Sequence, residues 1–344
     1  MSVMEGWLPP MHWLRITTID AHTGGEPLRV VTSGFPDLPG DTILAKRRLA
    51  QTEYDHLRKA IMWEPRGHAD MYGAVVTEPV TKDGDIGVLF LHNEGFSTMC
   101  GHGVIALAKV LLDTGILDRP GDTPVILMDT PAGRVVAEAY REEGQVAAVS
   151  FLNVPSFVYA LDAHVEVPGI GQVRYDLAFG GAFYAFVNAV ELGIGLTSEH
   201  FRALIDVGMR IKHAVMASQA IHHPFEPDLS FLYGVIFVGP PEDPAHHSRN
   251  VCMFADGEID RSPTGTGVSA RAAIHHARQE MGLHKPFVVE SILGTCFTGE
   301  VTATTTFGPH AAVIAKVTGT AHICGRNELL IDPADPLRGG FMLR

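Results

Sequence analysis

The chain has 344 residues, of which 46% are hydrophobic and 19% charged, and it carries a net charge of −13. That length and apolar content predict a soluble globular protein with an ample core and about two domains. The acidic balance excludes a general affinity for nucleic acid or for an anionic membrane surface, because both need clustered lysine and arginine.

Residues 1–13 carry Glu5 and two prolines but no basic cluster leading into an apolar stretch, so they read as a loose leader and not as a secretory signal. Beyond them, β-rich stretches bounded by Gly, Pro, Asn or Asp occur at 14–20, 86–92, 134–140, 147–152, 231–238, 287–293 and 311–318. Helical periodicity is clearest at 47–62, 101–112, 197–218 and 265–281. The mixed order predicts an α+β fold, not the regular alternation of a doubly wound sheet. The longest nearly apolar run, 177–190, holds two glycines and Asn188 and is too short to span a bilayer as a helix. No membrane partner is expected, and the expected compartment is the cytoplasm.

An internal repeat organises the chain. Cys100-Gly-His-Gly-Val-Ile-Ala-Leu-Ala aligns with Thr264-Gly-Thr-Gly-Val-Ser-Ala-Arg-Ala at an offset of 164 residues, close to half the length. Small residues in both copies predict two helices, one per half, packed closely or brought near a ligand. The boundary is expected near 153–157, with the active site in the cleft where the two helix N-termini face each other.

Four cysteines, Cys100, Cys252, Cys296 and Cys324, are too scattered for a zinc site or a redox motif. Only Cys100 stands beside glycines and a histidine at a helix start, where unpaired N–H groups and the helix dipole are expected to acidify it. The other three read as core. The same N–H groups suit a substrate carboxylate, and His102 is placed to hydrogen-bond substrate or assist proton transfer. Adjacent histidine pairs such as His222-His223 do not share a face, and no His-Glu-x-x-His spacing supports a metal hydrolase built on His68, Asp70, His92 and His102.

Met99-Cys100-Gly101-His102-Gly103 and Asp260-Arg261-Ser262-Pro263-Thr264-Gly265-Thr266-Gly267 resemble the proline racemase family. Further blocks carry the resemblance over nearly the whole chain: Asp20 to Pro27, Glu64 to Gly73, His92 to Gly95 and Gly180 to Ala185. The resemblance implies two similar domains of curved β-sheet around a central helix, related to diaminopimelate epimerase, with no cofactor and a homodimeric assembly. It divides the chain into residues 14–153 carrying Cys100, residues 154–325 carrying Thr264, and a segment 326–344 returning to the first domain. It also implies that Gly101, His102, Gly265 and Thr266 hold the substrate carboxylate and neighbouring groups, and that Asp260 pairs with the ring ammonium. His68, Asp70 and Tyr72 stay outside this set.

Racemases of the family carry a second cysteine where this chain has Thr264. Inversion needs one group to take a proton from one face and another to deliver a proton to the opposite face. A threonine hydroxyl is far too weak an acid to serve as the second group. The Cys/Thr pair therefore implies one-sided deprotonation followed by loss of a neighbouring hydroxyl: dehydration of trans-3-hydroxy-L-proline to Δ1-pyrroline-2-carboxylate. The acid that protonates the leaving hydroxyl stays open among Thr264, His102 and a water. The alternatives are a one-thiol racemase or 4-hydroxyproline epimerase, and an amino-acid-binding protein that has lost catalysis.

Overall fold

A computed structural model describes residues 7–343. The first half contains β1 (Leu14–Thr23), β2 (Glu26–Ser33), α1 (Ile43–Glu53), α2 (Asp55–Met62), β3 (Tyr72–Thr77), β4 (Ile86–His92), α3 (Gly101–Asp113), β5 (Val125–Thr130), β6 (Gly133–Glu142) and β7 (Gln145–Leu152). The second contains β8 (Ser156–Val167), β9 (Gly171–Phe179), β10 (Phe183–Asn188), α4 (Phe201–Ser218), β11 (Leu232–Gly239), β12 (Ser248–Phe254), β13 (Glu258–Ile259) and α5 (Gly265–Ala277). It continues through β14 (Phe287–Glu290), β15 (Cys296–Phe307), β16 (His310–Gly319) and β17 (Ala321–Ile331). Of the expected leader, residues 1–6 lie outside the described residues; Trp7 packs edge-on against Trp13, and Arg15 donates to the Pro9 carbonyl.

Both halves use one plan. In the first, β2–β3 and β4–β5 pair parallel and the other neighbours antiparallel; in the second, β10–β11 and β12–β14 are the parallel pairs. Parallel pairs need crossovers. The first crossover of each half is helical, α1 with α2 or α4, and α3 and α5 make the second. The second half closes on itself where β16 meets β8. The first half lacks a strand of its own for this purpose. There, the far end of β16 lies beside β7, and the chain runs on into β17, which pairs with β1 from Thr23↔Ala321 to Leu14↔Ile331.

The strands alternate as a one-sided sheet should: on β6, Val135, Ala137 and Ala139 point inward. α3 and α5 sit inside the two curved sheets and are buried on nearly every side, which their glycine- and alanine-rich sequences permit. No helix of the described residues is long and apolar enough to cross a membrane.

Several element boundaries differ from expectation. The helix expected at 47–62 is two helices, because Tyr54 leaves the helical region (φ −121°, ψ 11°) and Asp55 starts a new one. This break turns α2 so that Arg58 is buried, donating to the carbonyls of His92 and Asn93. The helix expected to reach 281 stops at Ala277, two residues before Gln279 at φ +58°. The strand at 287–293 ends at Glu290, where Ser291 to Thr295 form a turn. Cys296 and Cys324 are exposed, not core.

Candidate active site

The repeat is realised as contact. A β-carbon on Gly101 would sit 2.6 Å from the Gly265 Cα, and one on Gly265 would sit 2.8 Å from the Gly101 Cα. The N-termini of α3 and α5 therefore meet backbone to backbone, which no larger residue allows. Around this point lies a pocket of about 20 Å³, room for about one water. Its walls include Cys100, Gly101, His102, Asp260, Thr264, Gly265 and Thr266, so every residue singled out from the sequence borders the same space.

Cys100 is the N-cap of α3, and its sulfur accepts the Gly103 N–H at 3.2 Å. The ring of His102 lies against it, Sγ to Nδ1 at 3.3 Å. Burial of the site opposes the expected acidification. Burial pushes the Cys100 thiol well above its ordinary value; the Gly103 N–H opposes this only in part, and the charges of Asp260 and Glu26 add to the rise. Burial likewise lowers the His102 pKa and so favours the neutral ring.

Thr264 holds the corresponding position on α5 with a different geometry. Its backbone is left-handed, φ 65° and ψ 89°, and its side chain makes no cap bond. Sγ of Cys100 lies over Gly103, where a β-carbon would be 2.8 Å away; over Gly267 Thr264 presents its methyl, at 3.2 Å. The hydroxyl is turned off the helix and buried, beside the Cys252 thiol.

The carboxylates come from separated segments. Asp260 Oδ1 accepts the Ser262 N–H at 2.7 Å. Glu26, at the start of β2, is fully buried and accepts the Arg261 N–H at 2.8 Å, while its other oxygen has no hydrogen-bond partner. Burial raises its pKa well above the carboxylate range, and Asp260 raises it further. The β1–β2 hairpin delivers Glu26 because Gly24 and Gly25 take positive φ and dock against Ser262, Thr295 and Leu293 of the second half. Asp70 pairs with Arg261, and His68 lies at the surface.

The walls are aromatic. The Tyr72 hydroxyl donates to Ser97 Oγ at 2.6 Å and lies 3.1 Å from the Tyr233 hydroxyl; Tyr184 and Thr266 share a hydrogen bond of 2.7 Å; Tyr233 stacks on Phe254. Cys252, read from the sequence as core, is buried and also borders the pocket beside Thr264. Sequence reasoning missed Glu26, Tyr184, Tyr233 and Phe254. The local signals were the blocks holding Glu26 (Asp20 to Pro27) and Tyr184 (Gly180 to Ala185), since strand periodicity does not tell a pocket wall from core. Among the described residues, no group of three or more His, Cys, Asp or Glu is arranged to hold a metal ion, so His68, Asp70, His92 and His102 do not gather.

Comparison with known proteins agrees with this geometry. A trans-3-hydroxy-L-proline dehydratase of Colwellia psychrerythraea is 50% identical over 99% of this chain and 97% of its own. Relatives with the same description recur at 42–44% identity. A 3-hydroxyproline 2-epimerase of Burkholderia multivorans is 43% identical over 96% of this chain and 98% of its own. Among solved structures, a hydroxyproline epimerase from Agrobacterium vitis with bound trans-4-hydroxy-L-proline superposes with a TM-score of 0.92, at 32% identity, covering 97% of this chain and 96% of that one. The sequence profile described as proline racemase matches residues 18–342, and the chain belongs to the proline racemase family.

Proposed function

We propose that the protein is a trans-3-hydroxy-L-proline dehydratase in which Cys100 removes the α-proton and the 3-hydroxyl leaves. The observation that carries this reading is the unequal pair of helix N-termini, a thiol on α3 and a hydroxyl on α5. With a proton acceptor on one face only, the carbanion is not reprotonated from the other. Loss of the adjacent hydroxyl disposes of its charge, and the enamine tautomerises to Δ1-pyrroline-2-carboxylate. The dehydratase descriptions of the relatives support the same reaction.

In this proposal Asp260 holds the ring ammonium, as a carboxylate in a buried pocket does best. The first-turn N–H groups of Gly101, His102, Gly265 and Thr266 hold the carboxylate. The ammonium also offsets the Asp260 charge that pushes Cys100 upward, so substrate binding itself makes the thiolate easier to form. We take residues 14–153 and 154–325 as two lobes, supported by the junction between β7 and β8, and 326–344 as the segment returning to the first, supported by the pairing of β17 with β1. Family membership is the ground on which we place the enzyme in the cytoplasm as a homodimer without a cofactor.

Purified protein given trans-3-hydroxy-L-proline should form a cyclic imine, and a Cys100→Ala control should not. Absence of imine from the unaltered protein would sink the reading. A 2-epimerase is the second reading, favoured by Cys252 as another thiol at the pocket. Inversion at Cα without imine would select it.

A further inference from the structure

We infer that the acid releasing the 3-hydroxyl is Cys100 itself, one thiol that takes the α-proton and hands it to the departing oxygen. This rests on the dehydratase reading. In trans-3-hydroxy-L-proline the hydroxyl lies on the ring face opposite the carboxylate. The α-hydrogen, the other substituent on Cα, is on that same face. A base that reaches the α-hydrogen thus reaches the hydroxyl from the same side.

Cys100 and Thr264 stand at the N-termini of two repeat-related helices that meet at Gly101 and Gly265, so they face the pocket from opposite sides. Thr264 and its neighbour Cys252 border the same pocket, and with Cys100 on the face of the α-hydrogen they are left to the face that carries no leaving group. Cys100 is 4% exposed, and the His102 ring lies 3.3 Å from its sulfur, so the captured proton stays in a pocket nearly closed to solvent.

The step balances without a further reagent. The Cys100 thiolate takes the α-proton. The electron pair of the Cα–H bond becomes the ring double bond as the C3–O bond breaks. The departing oxygen takes the proton from Sγ and leaves as water, and Cys100 ends as the thiolate with which it began. A second acid is unnecessary, which accounts for a threonine sufficing on α5.

The test uses the unaltered enzyme with four compounds: trans- and cis-3-hydroxy-L-proline, and trans- and cis-3-fluoro-L-proline. All present the same α-hydrogen, but fluoride leaves without a proton. The trans-to-cis rate ratio for water loss should exceed that for fluoride loss by about 100-fold or more, the range for general acid catalysis. Equal ratios would place the acid on the other face or make it dispensable, and would overturn the inference. Failure of both cis compounds to eliminate would make ring face alone the discriminator and would also overturn it. Failure of trans-3-hydroxy-L-proline to yield imine would instead reject the dehydratase reading.

Discussion

The N-termini of α3 and α5 share a sequence pattern, an enclosure and a point of contact, yet one ends in a thiol that caps its helix and the other in a left-handed threonine that does not. The difference teaches that the scaffold fixes where two groups meet a substrate, while the identity of each group sets how many proton transfers it supports. A second equivalence lies farther out. On β5, Asp129 accepts the N–H groups of Val80 and Thr81 in the β3–β4 loop; on β14, Glu290 accepts those of Glu242 and Asp243 in the β11–β12 loop. Each lobe thus pins one loop with one buried carboxylate.

The largest expected effect comes from removing the thiol side. Cys100→Ala should lower imine formation by about 10² to 10⁴-fold, the loss expected for a general base, with circular dichroism unchanged. Making the two ends alike is the next test. Thr264→Cys should lower dehydration by about 100-fold and introduce inversion at Cα, because a second thiol supplies the missing partner; polarimetry beside imine detection separates the two. Dehydration undiminished by the added thiol would break the proposed link between the residue on α5 and the reaction.

The contact between the ends is tested by Gly101→Ala. Its β-carbon would lie 2.6 Å from the Gly265 Cα and force the lobes apart. A shift of about 1 Å costs about 100-fold in turnover, and overpacking costs about 1–3 kcal/mol in stability. Steady-state rates and urea unfolding measure both. Unaltered turnover would mean that the close approach is not needed for chemistry.

The smallest effect on chemistry is expected at the loop anchors. Burial favours protonating Glu290, but the Glu242 and Asp243 N–H groups, His246 and Arg249 hold its pKa at about 2. Because the folded value lies below the ordinary one of about 4.3, its contribution to stability is complete above that pH and is lost as pH falls toward 2. Glu290→Gln should cost about 3 kcal/mol by leaving the buried Arg249 poorly paired, and should flatten the acid limb of a stability-versus-pH curve. An unchanged acid limb would show that the two lobes are not anchored alike.

Much of the site was legible in the chain. The offset between Cys100 and Thr264 located both helix starts, and the flanking glycines marked the close approach, because only glycine permits it. Asp260 came from the same block. Glu26 did not, since its place beside Asp260 depends on a hairpin crossing from the other half, 235 residues away in sequence from Arg261. Cys252 and the aromatic walls were equally hidden, because an apolar strand residue looks the same whether it faces core or pocket. The pairing of β17 with β1 joins the two ends of the chain, and local periodicity carries no information about such a partner.

By itself, the sequence determined the repeat, the unequal pair of reactive groups and the family, since these depend on residue identity and spacing alone. Only the tertiary structure decided the state of the thiol. A helix N-terminus favours a thiolate; here aromatic walls from distant segments bury Cys100, and that burial, with the Asp260 charge, pushes its pKa up against the Gly103 N–H.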